Sequence, residues 1–305
     1  RYDDQRIDYK SAEDVSTRAV SGSLRYLLSP RVALTASAGY EDNSYASIGP
    51  EPKGRFWTLG AAWAPSERTS VAASAGRRFF GKTLTLNAQH RTRMTVWSVA
   101  YEENLTTTRS QFLVPLAQDT ASFLNELWKS SIPDQMARNE QVQQFIRDAN
   151  LPATVITPVN SFTNRVFLQR SAQASAAWRG AKNTLILSLF HIEREPESVP
   201  DADRFLAAGI GALAGEATRQ TGVGLQWSRR LGPHTSANAG ASYSRVRSLA
   251  TGRRDNDASA TLGVIHQLQQ KVHGGVQLRR LEKRSNQPGG EFRENAIAAF
   301  LQVNF

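Results

Sequence analysis

The 305-residue sequence has no cysteine. That absence removes a disulfide framework, a cysteine-based zinc site and a thiol nucleophile. Long apolar runs are also missing. No uncharged stretch approaches the roughly 20 residues of a membrane-spanning helix, and the longest candidate, 205–215, is short and rich in Gly and Ala. Helical membrane spans are therefore excluded. The five histidines, His90, His191, His234, His266 and His273, lack HExxH-like spacing, so neither a metal centre nor a zinc hydrolase is expected. The glycine-rich 209–212 stretch has no βαβ setting and no phosphate-loop lysine, which argues against a nucleotide site. No cofactor is expected. Acidic residues are in short supply, 27 against 37 lysines and arginines. Nucleic-acid binding is the usual reading of so basic a chain. Here the cations are spread over strand ends and loops, with no domain left to read a duplex, so no nucleic-acid partner is expected.

What the sequence does have is a period of two, repeated many times. Only 40% of residues are hydrophobic, which a hydropathy scan reads as soluble. In a barrel wall only alternate residues meet lipid, so that reading is unsafe. Strands are expected near 1–10, 15–28, 32–45, 54–64, 69–79, 82–91, 94–106, 163–178, 183–194, 217–230, 235–248, 256–269, 272–284 and 293–305. Short turns such as 29–31, 65–68, 91–93, 180–183, 231–234 and 269–271 then all fall on one side, which is periplasmic in such barrels. The longer connections, 46–53, 107–162, 195–216, 249–255 and 285–292, fall on the other, with Phe80-Gly81-Lys82 a short external exception. Gly, Pro, Asn and Ser supply the turn chemistry.

The facing patterns agree with this register. Ala237, Ala239, Ala241 and Tyr243 alternate with Ser236, Asn238, Gly240, Ser242 and Ser244. Ala172, Ala174, Ala176 and Trp178 alternate with Gln169, Ser171, Gln173 and Ser175. The apolar sets suit lipid and the polar sets suit a wet lumen. A one-residue slip would put each polar set into hydrocarbon. Arg170 shares parity with the lipid set and is expected near the outer headgroups. By the same parity Arg25, Arg78, Gln277 and Arg279 face the lumen, together with Gln169, Gln173 and Asn238. Trp63, Trp97, Trp178 and Trp227 each lie close to a periplasmic turn and are expected to form an aromatic girdle. Tyr40, Tyr101 and Tyr243 are candidates for an outer one. The alternative is that these aromatics fill the core of a soluble β-sandwich. In the last segment Ile297, Ala299, Leu301, Val303 and Phe305 share one face, opposite Glu294, Gln302 and Asn304, with Phe300 as a misfit. The terminal Phe305 resembles the sorting signal read by the assembly machinery of bacterial outer membranes.

Between 107 and 162 the period changes. Phe123, Leu124, Leu127 and Trp128 recur at helical spacing, and 141–149 reads as a second helix with Val142, Phe145 and Ile146 on one side, ended by Leu151-Pro152. By parity this insertion is expected to be extracellular: a lid, a plug or a docking element.

The run Tyr101-Glu102-Glu103-Asn104-Leu105-Thr106-Thr107-Thr108-Arg109, with Arg78-Phe79-Phe80-Gly81 and His90-Arg91-Thr92-Arg93 before it, resembles the outer-membrane β-barrel family associated with PEP-CTERM/exosortase systems. That resemblance implies an envelope protein encoded among exopolysaccharide genes, and it implies no reaction.

The expected architecture is thus a single all-β domain over 1–305, a transmembrane antiparallel up-and-down barrel of about 14 strands closed into a ring, in a Gram-negative outer membrane. The first residues already read like a strand margin without a signal peptide, so an N-terminal portion is expected to be missing. The expected role is porin-like, in exopolysaccharide assembly or export. Expected partners are outer-membrane lipid and lipopolysaccharide, the barrel assembly machinery, and an acidic exopolysaccharide or export components. Two other readings stand beside it: a non-conducting scaffold that recruits surface proteins or glycan, and a barrel hydrolase built on His191 with Glu193, Glu195 and Asp201.

Overall fold

The computed structural model describes residues 1–7, 15–45, 47–48, 51–106, 120–129, 131–148, 166–198, 216–269 and 272–303. Phe305, Asp201, Leu151 and Pro152 lie outside these residues. The strands are β1 (Tyr2–Ile7), β2 (Val15–Ser29), β3 (Val32–Ser44), β4 (Lys53–Ser66), β5 (Thr69–Arg78), β6 (Gly81–Arg91) and β7 (Thr95–Thr106). After helices α1 (Thr120–Trp128) and α2 (Gln135–Asp148) come β8 (Phe167–Arg179), β9 (Asn183–Pro196), β10 (Thr218–Arg230), β11 (Thr235–Ser248), β12 (Arg254–Gln269), β13 (Val272–Ser285) and β14 (Phe292–Val303). Each strand pairs antiparallel with the next, in one 14-stranded sheet whose order is the order of the chain. This is the up-and-down wall of an outer-membrane β-barrel.

The expected closed ring is corrected in one respect. Among the described residues β1 and β14 form no ladder with each other. The six residues of β1 are all matched to β2, and no register ties them to β14.

The two faces of the wall differ as the alternation requires. On β4, Trp57, Leu59, Ala61 and Trp63 are exposed, while Phe56, Thr58, Gly60 and Ala62 on the opposite face are partly covered. The exposed face continues across the sheet: Leu24 is 71% exposed, Leu262 51% and Ile297 78%. An apolar surface that runs across successive strands is far larger than the few hundred Å² a water-soluble monomer shows. Hydrocarbon is the solvent that suits it, which removes the β-sandwich alternative. The height fits as well. Arg219 and Arg229 both point to this outer face of β10, ten residues apart, with Thr221, Val223, Leu225 and Trp227 between them. Ten steps span about 33 Å along a strand, or about 25 Å along the membrane normal at a tilt of about 40°. The wall is that of a multi-pass protein of the Gram-negative outer membrane.

Phe300, the misfit of the last strand, faces inward and has a reason to. It is paired directly with Gly275 on β13, and a Cβ at Gly275 would come within 2.6 Å of its ring. The same arrangement recurs on β3 and β4, where Phe56 is paired with Gly39 and a Cβ there would meet the ring at 2.7 Å. An aromatic side chain laid over a cross-strand glycine covers backbone that would otherwise be bare. At the tight external hairpin, Gly81 adopts a φ of 127° directly after Phe79-Phe80, a conformation that side-chain-bearing residues avoid.

The outer face makes a prediction at two consecutive positions of β11. Ala241 faces hydrocarbon and Ser242 faces inward, where its hydroxyl is 2.6 Å from that of Ser259. Ala241→Arg should destabilise the folded barrel in lipid by about 2–4 kcal/mol, whereas Ser242→Arg should cost clearly less, as read from urea titrations in liposomes followed by heat-modifiable gel mobility.

Candidate functional site

The inner face is lined by hydroxyls and amides. Ser74 and Thr85 share a hydrogen bond at 2.6 Å, Ser98 and Ser175 at 2.7 Å, and Ser37 pairs likewise with Thr58. Strand register puts Asn238 and Gln277 in one row on either side of Gly263, whose missing side chain leaves the Asn238 amide its space. Gln173 and Gln169 lie on the same face of β8, and Gln169 accepts a hydrogen bond from Arg194 Nε at 2.9 Å.

The arginines expected in the lumen differ in their surroundings. Arg78 on β5 reaches past β4 to the buried Glu41 carboxylate on β3, donating from both Nε and Nη2. Gly54 is the β4 residue paired with Glu41. Arg78 also donates to Asn104 Oδ1 at 3.2 Å and lies over the rings of Phe56 and Phe80. Arg279 is paired with Glu294 on β14. Both guanidiniums thus have carboxylate partners. Arg25 faces a hollow of about 440 Å³ along β2–β7, shared with Asn87, Gln89 and Ser98.

The helices occupy this inner face. The expectation of an extracellular insertion is corrected for α1 and α2. The chain leaves the wall after Thr106 at the long-loop end, yet α1 packs at the opposite end, against Val96, Ala177 and Ile186. These three positions point inward beside the short turns of β7, β8 and β9, and each is at most 2% exposed. Phe123, Leu124, Leu127 and Trp128 of α1 and Val142 of α2 complete the cluster, with Phe145 and Ile146 packed on it. The physical reason is that an apolar helix stripe needs an apolar seat. Val96, Ala177 and Ile186 provide one on the inner face. Of the three roles the sequence left open, a plug fits this placement. Helix α2 starts at Gln135, six residues before the expected Gln141. The Asp134 side chain caps it, Oδ2 accepting from the Ala137 N–H at 2.8 Å. Its first turns carry no apolar period that would reveal them.

At the other end, the β3–β4 connection meets the chain beyond β9. Ser47 and Ser198 form an isolated antiparallel bridge, and the Ile48 N–H donates to the Glu197 carbonyl at 2.9 Å. Strands β5, β6, β7 and β8 separate these walls in the sheet, so the contact straps the mouth. Burial pushes the Tyr45 phenol up from its ordinary value, helped by Glu197 and Glu41, and burial beside Glu195 raises the Glu197 carboxyl.

On the outer face, Trp63, Trp97 and Trp178 are exposed and Trp227 partly so, all at the short-turn end. Trp57, exposed near Tyr40 at the other end, joins the outer aromatics, and its parity with Trp63 is the sequence signal that marks it. Above the apolar band the outer face turns ionic. Arg170 binds Glu195 at 3.0 Å with Glu103 at 3.9 Å, and Arg219 binds Glu193 at 2.6 Å. His191 sits in this network, with Nδ1 3.0 Å from Thr221 Oγ1 and Nε2 3.3 Å from Glu193. A hydroxyl, an imidazole and a carboxylate in series have the order of a nucleophile, a base and an orienting group. Arg219 binds the same carboxylate, and His191 and Thr221 are directly paired across β9 and β10, so the group is part of the ionic network of the rim.

No protein-family profile and no curated protein matches the sequence. Solved structures resemble the chain in architecture. In-vitro folded OmpT, an outer membrane protein of Vibrio cholerae, aligns over 98% of this chain and 93% of its own at 7% identity and a TM-score of 0.41. Pseudomonas aeruginosa OccK3 aligns over 98% and 75% at 13% identity and a TM-score of 0.35, and OccD3 over 99% and 72% at 10% identity and 0.36. The membrane assignment rests on the chain's own two faces.

Leu127 is 1% exposed at the centre of the helix seat. Leu127→Ala should weaken docking of the helix pair by about 2–5 kcal/mol. Protease cleavage within 135–148 should then accelerate more than ten-fold in liposomes while heat-modifiability of the wall is unchanged.

Proposed function

We propose that this outer-membrane, porin-like barrel takes part in exopolysaccharide assembly or export, with the α1–α2 pair restricting its lumen. The supporting observation is the inner face, where rows of serine and threonine hydroxyls and the amides of Asn238, Gln173 and Gln277 offer both donors and acceptors to a hydrated chain. A polyhydroxylated glycan exchanges water for such groups at little cost. The resemblance of 78–109 to barrels of PEP-CTERM/exosortase systems points to the same setting. On the outer face, rim guanidiniums such as Arg245, Arg254 and Arg284, beyond the apolar band on β11–β13, suit bidentate contact with lipopolysaccharide phosphates.

A second reading, a scaffold that never conducts, draws on the helix plug. Single-channel recording in planar bilayers separates the two. The passage reading expects small wild-type conductance that rises at least several-fold when residues 110–160 are deleted. A barrel that inserts but stays silent after that deletion removes the passage and leaves the scaffold, whose own mark is loss of partner capture in the same variant.

A further inference from the structure

The cations of the inner face differ between the two ends. Near the loop end, Arg78 and Arg279 each hold a carboxylate, and Lys283 lies 4.0 Å from Asp255. Near the turn end a hollow of about 470 Å³ lies between the helix pair and β8–β13, within the roughly 300–1,000 Å³ of small-molecule sites. Arg179, Lys182 and Arg230 line it, with His234 and His273, and among its described lining residues there is no aspartate or glutamate. Three permanent cations gathered in a recess with low-dielectric walls attract an anion strongly.

The rest of the lining restricts what that anion is. Trp128 and Phe145 form an aromatic wall, their rings edge to face at 5.3 Å. The Arg179 guanidinium is fixed 4.9 Å above the Trp128 ring, and Arg230 Nη2 is oriented by the Ala181 carbonyl at 3.3 Å. Gln141 and Gln144 of α2 and Ser228 of β10 add neutral hydrogen-bonding groups. A bare ion would use the cations alone, whereas the recess also presents neutral hydrogen-bonding groups and an aromatic edge.

We infer that this chamber binds an acidic sugar residue, its carboxylate between Arg179 and Arg230 and its ring against Trp128 and Phe145. The inference deepens the passage reading and rests on it: an acidic glycan strand would be held at the turn end, where the helix pair narrows the way. Guanidinium and carboxylate match bidentately, and the neutral amides meet the sugar hydroxyls.

The test is calorimetric titration of the full chain in detergent with an oligogalacturonate, a neutral glucose oligomer of equal length and inorganic phosphate. The acidic oligomer should bind, more weakly at high salt, and the neutral one should not. Arg230→Gln and Arg179→Gln should each weaken binding ten-fold or more, with Arg179→Lys intermediate. Arg229→Gln, one residue away on the opposite face, should leave binding unchanged. Heat-modifiable mobility establishes that each variant is folded. Equal affinity for the neutral oligomer, indifference to both glutamine variants, or phosphate binding as tightly as the oligomer would overturn the assignment. A barrel that conducts but fails to bind the acidic oligomer loses the chamber and keeps the passage. One that binds it and never conducts keeps the chamber and loses the passage.

Discussion

A residue and its neighbour in this wall face different solvents, and that constraint organises everything else. Backbone groups in hydrocarbon have no water to bond, so the chain satisfies them between strands. Once the strands are paired, side chains have only two places to point. The doubled arginines show the consequence. Arg77 shares the outer face with Trp57 while Arg78 turns inward to Glu41, and Arg229 lies outside while Arg230 lines the chamber. Two adjacent positive charges, which in a soluble protein form one patch, here serve opposite sides of a membrane protein.

The inner face obeys a looser rule than the outer one. Outside, a polar side chain in mid-band meets hydrocarbon. Inside, water accepts polar groups and the protein can cover apolar ones, so exceptions persist where something packs on them. Val96, Ala177 and Ile186 are such exceptions and α1 covers them. Phe56 and Phe300 are others, each laid over a cross-strand glycine. Apolar residues at inward positions therefore mark where the lumen is filled, and glycines opposite aromatics mark where the strand backbone needs cover.

This distinction sets what was legible in the sequence. The fourteen strands, their order and the faces of β3, β8 and β11 follow from alternation alone, because hydrocarbon tolerates no slip. The seat of the helices did not follow from loop parity. Parity tells at which end the chain leaves the wall, after Thr106, but not how far a long connection travels before it finds apolar contact. The signal existed in the inward parity of Val96, Ala177 and Ile186. The pairing of Arg78 is hidden for another reason: Glu41 and Arg78 lie on strands that are not neighbours, with β4 between them. Arg179 and Arg230 were missed as lumenal cations because each sits at a strand end, where parity alone does not separate a wall position from a turn.

Charge along the inner face is consequently graded rather than uniformly basic. Carboxylates from β3, β12 and β14 meet Arg78, Lys283 and Arg279, which weakens the pull of these cations on an anion. At the turn end Arg179, Lys182 and Arg230 share a recess whose described lining carries no acid. On the proposed reading, an anion in the lumen is drawn toward the end where the helix pair is seated. A porin lined evenly with arginine would attract anions throughout its length and would hold them nowhere. This wall instead places a recess whose described lining has no acid beside the seat of the helix pair, so on the proposed reading the group that narrows the lumen and the group that attracts an acidic passenger act at one place.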